Sequence, residues 1–155
     1  MTTPETEGAA ARPAAPSRPA RVLRGQLPAV AAVALGGAAG ACARYAATLW
    51  WPGGEGAFPW TVFWVNAAGC AVIGAFLTLT DVWPVHPLLR PFFGTGVLGG
   101  FTTFSTFTVD VARLVDTGHV RTALLYLAAT PLLALTAVWL AATATRRLVR
   151  NGRPA

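Results

Sequence analysis

The feature that most constrains this chain is a succession of four apolar stretches, at about residues 27–50, 60–80, 88–110 and 120–144. A helix of about 20 apolar residues spans the ~30 Å hydrocarbon core of a bilayer, so each stretch is long enough to cross one. Only 12% of the residues are charged and 54% are apolar, the balance of an integral membrane protein and not of a soluble domain. Backbone polar groups inside lipid must be satisfied within the protein. The expected fold is therefore all-α, with four transmembrane helices.

The third stretch departs from a plain membrane helix. It holds Gly94, Gly96, Gly99 and Gly100, and then Phe-Thr-Thr-Phe-Ser-Thr-Phe over 101–107. Glycine within a helix costs about 1 kcal/mol relative to alanine, and a Gly-Gly pair is a place where helices kink or open. The expectation is a third helix broken near its middle, at Gly99 and Gly100. Carbonyls freed at the end of the first half would suit a small bare cation. Thr102 and Thr103 are natural caps for the second half. Phe101, Phe104 and Phe107 recur every three residues, and ring edges turned into a narrow path attract a small anion. Ser105 and Thr106 add hydroxyl donors. The competing reading is a flexed helix whose hydroxyls bond back to i−4 carbonyls and whose rings only pack.

The other stretches carry sparser signals. Gly36, Gly40 and Arg44 share one helical face, and the two glycines permit close approach of another backbone. Arg44 either snorkels to the far interface or places a fixed positive charge near a vestibule. Asn66, Cys70 and Gly74 share a face of the second stretch, where Asn66 acts as interhelical glue or as a donor to a pore. Tyr126 and Thr130 stand at i, i+4 in the fourth. Trp50, Trp51 and Trp60 mark an interfacial belt. Cys42 and Cys70 read as small buried hydrophobes. His86 and His119 fall in connecting segments, and no clustered metal-ligand pattern exists in the sequence. A cleavable signal at 27–50 is disfavoured, because three further apolar stretches follow.

Gly-Gly-Phe-Thr-Thr-Phe-Ser-Thr-Phe at 99–107 resembles the signature of the bacterial fluoride channel family, the CrcB or Fluc proteins. The resemblance extends over about 36–144, with Gly36-Gly37, Gly40-Ala41, Arg44-Tyr45, Val65-Asn66, Gly69, Gly74 and Tyr126 in matching order. It implies an antiparallel, dual-topology dimer of four-helix subunits, two fluoride paths along the dimer interface, and a structural sodium ion where the two helix breaks cross. By position, main-chain carbonyls of Gly99 and Thr102 hold the sodium. Phe104 and Phe107 are the pore phenylalanines, with Thr106 between them; Asn66, Tyr126 and Thr130 continue the fluoride path. The activity implied is passive export of cytoplasmic fluoride across the bacterial plasma membrane, relieving its toxicity, and not an enzymatic reaction. Residues 26–146 then form the channel domain, 1–25 a disordered Ala/Pro/Arg-rich tail and 147–155 a basic tail. Departures from the family pattern are Trp60 for a commoner glycine, Asp110 for glutamate, Thr130 for serine, and Ala134 within the hydroxyl series.

Other classes fare worse. A small proton-coupled multidrug exporter resembles this layout but carries a carboxylate in its first span, and 27–50 has none. A membrane enzyme lacks paired intramembrane carboxylates or a Ser/His pair here. A non-conducting packing subunit is the third alternative. The net charge of +6 comes from arginine, concentrated at the termini and not in a nucleic-acid-binding patch. With four crossings, Arg12, Arg18, Arg21, Arg24, Arg90, Arg146, Arg147, Arg150 and Arg153 share one face, against Arg44, Arg113 and Arg121 on the other. That bias places the termini in the cytoplasm. It also raises a heterodimer with an oppositely oriented homologue as an alternative to self-pairing. Probing the termini from both membrane sides, with the chain expressed alone, checks the bias: nearly uniform cytoplasmic labelling is expected, and equal labelling from both faces contradicts a heterodimer.

Overall fold

A computed structural model describes residues 18–151, with side chains from residue 25 onward. The described residues form helices and no strand. Helix α1 is Arg18–Trp50 and α2 is Trp60–Val82. Helix α3 begins as a π-helical stretch, Arg90–Leu98, and runs on into a single α-helical turn, Gly99–Phe101. Helices α4 (Ser105–Asp116) and α5 (Val120–Asn151) complete the chain. Three helices are apolar and long enough to cross a membrane: α1 from Gly25, α2 and α5. The third apolar stretch is divided between α3 and α4, each shorter than a crossing. The helices also run past the limits read from the sequence. Residues 18–25 already belong to α1 and 147–151 to α5, because alanine, leucine and arginine are good helix formers. The rest of the two expected tails, 1–17 and 152–155, lies outside the described residues.

Helix ends follow local chemistry. Trp83 closes α2 with ψ 135°, the extended conformation that a following proline imposes. Gly118, at φ +79°, makes the tight turn between α4 and α5.

Packing sorts the bundle into two pairs: α1 lies on α3, and α2 lies on α5, with α4 also against α5. Glycines set the first contact. A Cβ on Gly40 would collide with the Val97 carbonyl and sit 2.8 Å from the Phe101 nitrogen. One on Gly96 would meet Gly36 Cα at 2.9 Å, and one on Gly100 would meet Gly37 Cα at 3.0 Å. The Gly36/Gly40 face expected for close approach is thus the face that receives α3, backbone against backbone.

The ends of the bundle are also fixed. The connection between α1 and α2 meets the α4–α5 turn, where Gly56 (φ +68°) leaves no room for a side chain beneath the His119 ring. At the opposite end Arg90 donates to Thr80 Oγ1 (3.0 Å) and pairs with Asp81, tying α3 to α2. Between the ends, Tyr126 is fully buried among Val62, Phe107, Leu114 and Ala123. Gly40→Ala and Gly100→Ala are expected to destabilise the purified protein by about 1–3 kcal/mol in unfolding experiments, because the backbones must part. Gly99→Ala, whose Cβ meets nothing within 4 Å in this chain, is expected to cost less than either.

Candidate functional site

The backbone opens later than the glycines suggest. Gly99 keeps helical angles (φ −67°, ψ −34°), and α3 stays helical through Phe101. Thr102 is extended (φ −74°, ψ 153°), and α4 resumes only at Ser105. The expected break at Gly99 and Gly100 is therefore corrected to residues 102–104. Gly100 remains helical because its bare Cα is used against Gly37 of α1. What opens the chain is a side chain from α2.

That side chain is Asn66, which is buried. Its Nδ2 donates to the Thr103 carbonyl (3.0 Å), and the Thr103 N–H donates to its Oδ1 (2.8 Å). One amide thus satisfies both main-chain polar groups of the residue at the centre of the break. A buried N–H or C=O left unpaired costs about 1–3 kcal/mol, so this pairing supplies what the interrupted helix no longer does.

Hydroxyls finish the two half-helices. Thr103 Oγ1 accepts from the Thr106 N–H (3.1 Å), capping the first turn of α4 as expected. Thr102 does not cap α4. Its hydroxyl donates back to the Leu98 carbonyl (2.9 Å) and closes α3 instead. The i−4 back-bonding of the competing reading is therefore present, but beside a real break.

Arg44 reaches the break from α1. Its Nε donates to the Gly100 carbonyl (3.3 Å) and its Nη1 to Thr106 Oγ1 (3.4 Å), so one guanidinium bridges both half-helices. It does not snorkel away to an interface. A cation at the carbonyl end of α3 is electrostatically favourable. The spacing of Gly36, Gly40 and Arg44 already put it on the α3-facing side, which was the available signal for this bridge.

The rings are split by the break. Phe101 belongs to α3, and the extended Thr102 separates it from Phe104 and Phe107, so the three do not form one continuous row. Phe104 is 79% exposed, while Phe107 is buried; their centroids lie 5.7 Å apart. Phe107 contacts Tyr126 at 5.1 Å, and Tyr126 meets Phe58 edge-on at 5.2 Å. The Tyr126 hydroxyl donates to Asp110 Oδ2 at 3.5 Å. One turn along α5, the buried Thr130 hydroxyl has no partner among the described residues. Trp60 joins the Phe58 and Phe63 cluster (centroids 4.5 and 5.7 Å).

Two clefts approach this centre from opposite ends. One, of about 680 Å³, runs from Trp51, Glu55 and Arg113 past Asp110 to Thr106. The other, of about 610 Å³, runs between α2 and α3 from Arg90 past Cys70 to Gly99 and Thr102. The Gly99 and Thr102 carbonyls receive no hydrogen bond from the described residues. No group of three or more His, Cys, Asp or Glu side chains suited to a metal exists among those residues.

The model of the family described as CrcB-like protein, Camphor Resistance (CrcB), matches residues 31–142. The chain is 62% identical over 152 residues to the fluoride-specific ion channel FluC 1 of Streptomyces coelicolor, covering 97% of each chain. It is 63% identical over 136 residues to the fluoride-specific ion channel FluC 2 of Streptomyces avermitilis, covering 84% of this chain and 85% of that one. FluC 2 of Nocardia farcinica, also a fluoride-specific ion channel, is 47% identical over 131 residues.

Replacing Asn66 by Ala is expected to lower stability by about 1–3 kcal/mol, since the Thr103 N–H and C=O lose their partner. Asn66→Asp, once ionised, sets a carboxylate oxygen against the Thr103 carbonyl with no donor between them, so its unfolding midpoint is expected to fall at or below that of Asn66→Ala.

Proposed function

The chain belongs to the CrcB-like family, and on that premise we propose that it is a fluoride-specific channel through which cytoplasmic fluoride leaves passively across the plasma membrane. The observation that carries the reading is the clasped break at residues 102–104, flanked by the Phe104/Phe107 pair and reached by clefts from both ends. Fluoride is small and strongly hydrated, so its path has to replace water with donors at every step. The Thr130 hydroxyl, without a partner among the described residues, is such a donor, Tyr126 supplies a second when its hydroxyl turns from Asp110, and the edges of Phe104 and Phe107 present a weakly positive rim. Thr106, held by Arg44 and Thr103, lies at the inner end of one cleft. Asn66 acts on this path through Thr103, whose backbone occupies both polar ends of its amide.

The geometry of the ends supports four crossings. The α1–α2 connection shares one end with the α4–α5 turn, and the α2–α3 connection lies at the other. On this reading α3 and α4 together traverse the layer once, with the break inside it. A break at that depth is tolerable only where protein or a water-lined cavity satisfies the backbone.

The Gly99 and Thr102 carbonyls fit a hard cation such as sodium, which takes oxygen ligands at the negative end of a half-helix. Bound there, sodium would supply fixed positive charge and join the two faces of the break. Two carbonyls are too few for a complete shell, and Gly99 faces an open cleft. An antiparallel second chain presenting the same two oxygens completes it, as a copy of this chain or as an oppositely oriented homologue. The arginine distribution favours cytoplasmic termini for this chain.

Efflux of fluoride from liposomes loaded with fluoride or chloride, containing this chain alone, tests the proposal. Rapid fluoride efflux with chloride retained is expected, and no fluoride efflux from well-folded protein contradicts a self-sufficient channel. Phe104→Ile or Phe107→Ile is expected to reduce that efflux at least tenfold with unchanged expression. Undiminished flux in both would remove the rings from the path.

A further inference from the structure

Helix α5 is longer than a membrane requires, and one of its faces changes character along its length in the order a bilayer does. Its 32 residues extend about 48 Å, against ~30 Å of hydrocarbon. Buried Ala123, Tyr126 and Thr130 define the face turned into the bundle. On the opposite face stand the exposed Leu132 (65%), Leu135 (66%) and Trp139 (63%). Continuing up that same side come Arg146 and Arg150, with Arg147 about 100° round from Arg146. All three arginines are exposed.

The depths match as well. Arg146 lies seven residues, or about 10 Å, beyond Trp139, and an aromatic residue of this kind sits at the headgroup boundary. Arginine side chains reach back several ångströms with their apolar stems against lipid. Nothing in α5 offsets the charge: the helix contains no acidic residue, and the one ion pair among the described residues is Arg90–Asp81.

We propose that Arg146, Arg147 and Arg150 form a basic juxtamembrane site for the phosphate headgroups of anionic lipids, anchored below by Trp139. Apolar, aromatic and basic residues occupy one outward face in that order, which fits acyl chains, interface and headgroups in turn. A planar guanidinium grips phosphate bidentately, so binding is stronger for arginine than for a point charge of the same sign. The site fixes how deep α5 sits, independently of which ion the chain conducts.

The test uses the purified full chain in nanodiscs or detergent, titrated with phosphatidylglycerol, phosphatidylcholine or inorganic phosphate, and read by native mass spectrometry and thermal stability. Preferential binding of phosphatidylglycerol is expected. It should weaken about 100-fold in the R146Q/R147Q/R150Q variant at low salt, given the attraction of each basic residue to an anionic surface. The R146K/R147K/R150K variant should recover most of it. Undiminished phosphatidylglycerol binding in the Gln variant would overturn the proposal, as when a second copy covers this face. Equal stabilisation by inorganic phosphate would overturn the assignment to lipid.

Discussion

The site depends on how the main-chain polar groups at residues 102–104 are satisfied where the helix is interrupted. A helix interrupted in lipid loses its internal partners just where water is absent. Here Asn66 replaces them at Thr103 with both ends of one amide, and Arg44 links the last turn of α3 to the first turn of α4. The two side chains come from different helices, α2 and α1. The conformation of the break is therefore set by the bundle and not by the local sequence alone.

That arrangement requires α1 and α3 to be unusually close. Gly36 and Gly40 bring α1 into backbone contact with α3 beside Arg44, and the bulk of even a methyl group there would force the two backbones apart. The packed α2–α5 pair supplies the second wall, with Tyr126 against Phe107. Packing and site chemistry are thus one problem. The glycines make the contact, the contact places the arginine, and the arginine and asparagine together hold the helix open between two clefts.

Much of this was legible in the sequence. The apolar stretches gave the all-α class, and the i, i+4, i+8 spacing of Gly36, Gly40 and Arg44 correctly identified a single packing face. The glycine-rich signal located the interruption only to within a few residues. Gly99 and Gly100 lower the cost of opening a helix, but Gly100 is consumed by packing, and the choice of Thr103 belongs to a residue 37 positions away. No local rule could find that partner. For the same reason Phe101 looked like part of one aromatic row: the three-residue recurrence assumes a continuous helix, and the extended Thr102 ends it. The helical extensions at 18–25 and 147–151 were hidden by composition, since Ala/Arg-rich segments read equally well as tail or as helix.

The measurement that bears most directly on the break is an experimental density map of the chain in a lipid environment, at a resolution that separates main-chain carbonyls. It should show α3 helical through Phe101, Thr102 extended, and the Asn66 amide facing both the N–H and the C=O of Thr103. A helix continuous through Thr103, with the Asn66 amide turned away, would contradict the account.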